Sequence, residues 1–227
     1  MTRRAAIGLG TGLLVGLAGC TASGSNDQHA TTSTTTETDV KSQTTSEQHA
    51  EEEGGKNTYM PTPVGDPAAN QTVAMAMTVN GGHYFIPDIV WVKKGGTVTW
   101  ENATGEHSAT AYAASNDRPQ RVPDGADGWD SGLVEDAGKT VTHTFDEPGV
   151  YDYYCKPHEA LGMVGKVIVG GPTDLANEPA LQPPQDLPGA GNTIMTKLTK
   201  RANDVLTEAK SNDHIQFTSD GDVNVVG

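Results

Sequence analysis

Between Gln71 and Gly170 the sequence breaks into short β-rich runs separated by turn-forming residues, and this rhythm limits the fold more than any other feature. The runs are Val73 to Val79, Tyr84 to Phe85, Ile89 to Val92, Thr97 to Glu101, Ser108 to Ala113, Lys139 to Phe145, Val150 to Tyr154 and Lys166 to Val169. Asn80-Gly81-Gly82, Lys94-Gly95-Gly96, Asp136-Ala137-Gly138 and Glu147-Pro148-Gly149 read as the turns between them. Val98 and Trp100 alternate with threonines, as do Val141, His143 and Phe145, so each strand has one apolar face to bury. An all-β antiparallel sandwich of seven to eight strands buries both sets. In this register His143 is a half-buried packing residue, and Met75 and Met77 belong to the core. Ala114 to Gly132, rich in Asp, Gly and Pro, reads as a long surface loop.

The flanks are different in texture. The 227-residue chain is only 35% hydrophobic, so one core cannot extend over its whole length. Residues 1–19 combine the basic pair Arg3 and Arg4 with an apolar run too short to span a bilayer comfortably, the pattern of a twin-arginine signal peptide. Leu17-Ala18-Gly19-Cys20 resembles a lipobox, which makes Cys20 the expected lipid attachment point. Residues 20–70 are rich in Thr, Ser and Glu and are expected to form a disordered, lipid-anchored stalk. Residues 71–171 form the expected folded domain, and 172–227 a Pro-rich linker and C-terminal tail. In the tail, Ile194, Leu198, Ala202, Val205 and Leu206 recur at helical spacing, which predicts a short amphipathic helix over Thr193 to Lys210 capped by Asn192. With 15 basic and 29 acidic residues the formal charge is −14, which excludes nucleic acid and polybasic docking to an anionic membrane. Such a surface is of the kind halophiles use.

The chemistry concentrates in one segment, Tyr151-Asp152-Tyr153-Tyr154-Cys155-Lys156-Pro157-His158-Glu159-Ala160-Leu161-Gly162-Met163. It brings a thiolate, an imidazole and a thioether into one loop, soft and borderline ligands that copper accepts in both oxidation states. Zinc asks for four strong ligands, and the thioether is a weak one, so this set selects copper. A trigonal site needs a second imidazole. His107, which follows the strand Thr97 to Glu101 and its turn, is placed to supply it; His83 reads as a strand start at the opposite end of the domain.

Residues 71 to 170 resemble the plastocyanin and halocyanin family of small cupredoxins, whose ligand loop Y-x-x-Y-C-x-P-H-x-x-x-G-M-x-G-x-V is matched from Tyr151 through Val167. The resemblance implies a Greek-key cupredoxin sandwich holding one type 1 copper ion, with His107, Cys155 and His158 as equatorial ligands and Met163 as the long axial one. Plastocyanins follow the first histidine with an asparagine that helps hold the two ligand loops together; this chain has Ser108, whose hydroxyl is the available substitute. The lipobox, the Thr-rich stalk and the acidity resemble halocyanins of salt-loving archaea.

The expectation is therefore a one-electron carrier, not an enzyme, exported and tethered to the extracytoplasmic face of the cell membrane. It would act as a monomer on membrane-bound or peripheral redox proteins, with no small-molecule substrate. Copper delivery or storage, or service as an electron-donating accessory subunit of an oxidase or reductase, are the alternatives. Delivery would favour exposed Met-rich or Cys-x-x-Cys motifs, and an oxidase would need further ligands such as His-x-His pairs; the sequence contains none of these.

Overall fold

The computed structural model describes Tyr59, residues 61–171 and residues 176–226; the expected signal peptide, Cys20 and most of the expected stalk lie outside the described residues. In chain order the strands are β1 (Ala68–Met77), β2 (His83–Ile86), β3 (Ile89–Asn102), β4 (Thr110–Ala111), β5 (Thr140–Phe145), β6 (Gly149–Tyr154) and β7 (Val164–Val169). They are followed by helix α1 (Ala190–Ser211) and the hairpin strands β8 (Ile215–Phe217) and β9 (Val223–Val225).

The first seven strands form a cupredoxin β-sandwich organised around β3. Its first part, Ile89 to Val92, pairs with β7, which pairs in turn with β6 and then β4; its second part, from Gly96 to Asn102, pairs with β5 and β1, and β1 with β2. Lys94-Gly95-Gly96 is thus not a turn between strands. It is an irregularity inside one long strand, where Gly95 takes a positive φ of 74° and the register with β1 shifts. A bulge and a turn use the same glycine, so the local pattern does not separate them. Two of the pairings, β1 with β3 and β3 with β7, are parallel, so the sandwich is mixed where an antiparallel one was expected.

The inner core collects Val73, Met75, Phe85, Val90, Val92, Val98, Trp100, Phe145, Tyr151, Tyr153, Val167 and Val169. The segment Ala114 to Gly132 contributes to it: Val122 and Trp129 are buried, and Trp129 stacks on Trp100 at 5.5 Å and on His143 at 4.9 Å. The expected surface loop is therefore a partly buried strap, drawn in by its tryptophan. His143 is half-buried against that ring, while Met77, one residue pair beyond Met75, is exposed where it was expected in the core.

A second apolar cluster lies on the outer side of β3, β6 and β7, where Ile89, Trp91, Val150, Tyr154, Val164 and Ile168 point away from the inner core. Helix α1 covers it with Ile194, Met195, Leu198, Ala202, Leu206 and Ala209, a stripe at helical spacing. The helix is longer than the sequence pattern suggests. Gly189, not Asn192, is its N-cap; Asn192 instead accepts the Leu187 N–H through its side chain at 3.3 Å. Arg201 fastens the helix to the sandwich through Asp88 at 2.6 Å and Tyr59 at 2.7 Å. Beneath it Asp152 binds Arg121 at 2.7 Å and Lys166, and both cations also reach the Ala180 carbonyl. No helix among the described residues is long and apolar enough to cross a membrane.

Candidate metal centre

Two chain segments meet at one end of the sandwich. The first follows β3: Asn102 is buried and donates to the carbonyls of Gly105 at 2.8 Å and Val134 at 3.0 Å, which shapes the turn. His107 then exchanges backbone hydrogen bonds with Val134, at 3.1 and 2.7 Å, and is fully buried. The second segment is the loop from β6 to β7. The Cys155 N–H binds the Met163 carbonyl at 3.0 Å and closes it. Inside, the His158 N–H binds Cys155 O, and the N–H groups of Leu161 and Met163 bind His158 O, so a 3₁₀ turn at Glu159–Leu161 spaces the histidine from the methionine. Gly162 ends that turn with φ of 95°, a conformation glycine adopts freely.

These segments bring three ligand atoms together. Cys155 Sγ lies 3.6 Å from His107 Nδ1 and 3.4 Å from His158 Nδ1, and the two nitrogens are 3.3 Å apart. A point at the centre of such a triangle is about 2 Å from every corner, the length of a transition metal bond to imidazole and close to that to thiolate. Met163 is fully buried in the inner core beside Cys155. All four residues expected from the sequence thus sit at one end of the sandwich, three of them in mutual contact.

The hydrogen bonding fits a cation. His107 Nε2 lies 2.8 Å from the Thr104 carbonyl, which can only accept; Nε2 therefore carries the proton and Nδ1 presents its lone pair to the triangle. The Ser108 N–H points at Cys155 Sγ from 3.4 Å, and the Ser108 hydroxyl accepts the Lys156 N–H at 2.8 Å. Ser108 therefore ties the two ligand segments together. Burial pushes the Cys155 thiol up to about 11, against the hydrogen bonds from Ser108. Burial also holds His107 below the usual histidine range, and burial followed by repulsion from His83 and His107 brings His158 down to about 4. Three neutral groups with converging lone pairs are what a metal ion displaces protons from or binds directly.

One residue at the site has a different place from the one its local pattern implies. His83 stands at the same end of the sandwich, its ring stacked on that of His158 with centroids 3.6 Å apart and planes 13° apart. The reason is topological: Met77 pairs with His83 across the β1–β2 hairpin, and β1 runs parallel to β3 with Met75 beside Asn102. The end of β1, the start of β2 and the end of β3 therefore coincide. One ring nitrogen from each of His83, His107 and His158 lies within 4.8 Å of the other two. The stacked rings of His83 and His158 lie in nearly parallel planes, so their lone pairs do not converge on one point, whereas Cys155 Sγ lies within 3.4 to 3.6 Å of both His158 Nδ1 and His107 Nδ1.

Residues 72–170 match the model of copper binding proteins of the plastocyanin/azurin family. The chain is 36% identical over 100 residues to the halocyanin of Natronomonas pharaonis, covering 44% of this chain and 56% of that protein, so it spans little more than half of that relative's length. It is 34% identical over 95 residues to the plastocyanin of Sambucus nigra, covering 40% of this chain and 91% of that protein. Among solved structures, the pseudoazurin of Hyphomicrobium denitrificans superposes with a TM-score of 0.47 at 23% identity, over 58% of this chain and 97% of that one. The chain belongs to the plastocyanin/azurin family of copper-binding proteins.

Proposed function

We propose that this protein is a one-electron carrier in which His107, Cys155, His158 and Met163 would hold copper. The observation that carries this reading is the triangle of His107 Nδ1, Cys155 Sγ and His158 Nδ1 with its 3.3 to 3.6 Å edges. Copper bound there supplies a Cu(II)/Cu(I) couple. The chain's own residues do the rest. Thr104 fixes the tautomer of His107, the Ser108 N–H supports the sulfur, and the buried core beneath Cys155 and Met163 keeps water from one side. Because these contacts hold the four side chains in place, little rearrangement would accompany a change of oxidation state. The expected result of loading the metal-free protein is one copper per chain, reduced and reoxidised reversibly by one electron; binding of several ions, or of none, would refute the assignment.

His158 is the outlet. His107 is fully buried, whereas His158 is partly exposed and the neighbouring Leu161 is 46% exposed. Met77, also exposed, pairs with His83 at the end of the β1–β2 hairpin. A redox protein that covers Leu161 comes close to the His158 ring, and a small, transient contact suits a carrier that must let go. The membrane tether is part of the same reading and rests on the sequence of residues 1–20. Cys20→Ala is expected to move the protein from the membrane fraction to the soluble one; continued sedimentation with membranes would count against lipidation.

A further inference from the structure

The family model ends at residue 170, yet the chain continues through α1, and the first turn of that helix lies against the ligand loop. Gly191 is buried, and a Cβ built on it would stand 2.8 Å from the carbonyl oxygen of Glu159. At Gly189 a Cβ would press into the carbonyl of Ala160. Both neighbours are backbone atoms of the 3₁₀ turn between His158 and Met163. The Glu159 oxygen facing Gly191 is the one that accepts the Gly162 N–H at 2.9 Å, one residue before Met163. The turn is also held through the Glu159 side chain, which is buried and receives the Tyr112 hydroxyl at 2.9 Å and Arg118 at 2.5 Å. Arg118 in turn lies over the Tyr154 ring, 4.7 Å from its centre.

We propose that the start of α1 is a positioning element for the ligand loop, with Gly191 as its contact residue. The turn at Glu159 is gripped by the helix backbone and by the pair Tyr112 and Arg118, which fixes the spacing of His158 and Met163. The grip works because the helix is fastened elsewhere: Leu198 and Leu206 are packed on the sheet, and Arg201 is bonded to Asp88 and Tyr59. Pushed at its first turn, α1 has little room to retreat. The loop must give. The effect on copper rests on the proposed ligand set; the effect on the loop does not.

Gly191→Ala is a clean probe, because alanine is the better helix former by about 1 kcal/mol, so any disturbance comes from the contact. At 2.8 Å the added methyl stands at least about 0.6 Å inside ordinary contact with Glu159 O. In the metal-free protein, amide hydrogen exchange at Gly162 and Met163 should rise roughly tenfold, with the rest of the sandwich unchanged. In the copper-loaded protein the visible band and the copper hyperfine splitting should shift. Leu206→Val, about four turns along the same helix, loosens its packing without touching the loop and should do neither. Unaltered exchange at Gly162 and Met163 in a folded Gly191→Ala protein overturns the proposal, as does an equal effect from Leu206→Val. Should Gly191→Ala fail to fold, Glu159→Gln weakens the side-chain part of the grip: faster exchange at the same two amides supports the proposal, and unchanged exchange rejects it. A wild type that gives no blue band refutes the ligand set, while the exchange measurement still decides the grip.

Discussion

Asp152→Asn neutralises a carboxylate bonded to both Lys166 and Arg121 and leaves the shape of the side chain intact. Asp152 and Lys166 are 0% exposed and Arg121 is 6% exposed, so the two cations cannot turn to water. Glu178, which accepts the Val150 N–H at 3.3 Å, also acts on Lys166 through its field. Breaking a buried pair by neutralising one partner costs about 3 to 5 kcal/mol, because the other charge stays buried without compensation. The folding equilibrium should weaken by roughly 10² to 10³·⁵, and for a domain of this size the melting temperature should fall by about 6 to 20 °C. Urea unfolding of the metal-free protein measures the loss, which should persist at high salt because a buried pair is poorly screened. Asp152→Asn combined with Lys166→Met should recover part of it, since the Ala180 carbonyl keeps Arg121 and Thr199 as donors. A loss under about 1 kcal/mol, the worth of an exposed pair, would refute the view that this triad pins the C-terminal segment.

The outlet and the His143 contact give two further tests. Leu161→Asp should slow electron exchange with the protein's redox partner while the visible spectrum and potential stay nearly the same; an unaltered rate rules out this surface, and a changed spectrum shows that Leu161 packs the loop instead. Burial holds His143 below its usual range, partly offset by Asp146 and Asp127, so the folded state binds its proton less readily than the unfolded chain. Stability should therefore decline as pH falls below about 6.5, and His143→Gln should remove that part of the decline. Parallel pH profiles for wild type and variant would contradict the sign.

What could be read from the sequence follows from how local each signal is. Cys155, His158 and Met163 lie in one loop, so their meeting needs only that the loop fold back, and His107 follows from the demand for a second imidazole. His83 was out of reach because its position depends on β1 running parallel to β3, a pairing that no local pattern records. The role of the tail was partly visible. Ile89-Val90-Trp91-Val92 is apolar on both faces, whereas β5 alternates with exposed threonines; a strand apolar on both faces asks for a cover on each side. Asp152 and Lys166 hid that demand, because charged residues on a strand read as solvated and here they neutralise each other under α1.

The most direct measurement is the visible absorption of the oxidised, copper-loaded protein beside that of Cys155→Ser. With the proposed ligand set the thiolate of Cys155 would supply the ligand-to-metal charge transfer, and the sandwich strands supply the fold. The wild type should therefore be intensely blue, and the variant folded but without the band. A wild type showing only the weak absorption of copper bound to nitrogen and oxygen ligands, or a variant that keeps the blue band, would contradict the ligand set proposed for this end of the sandwich.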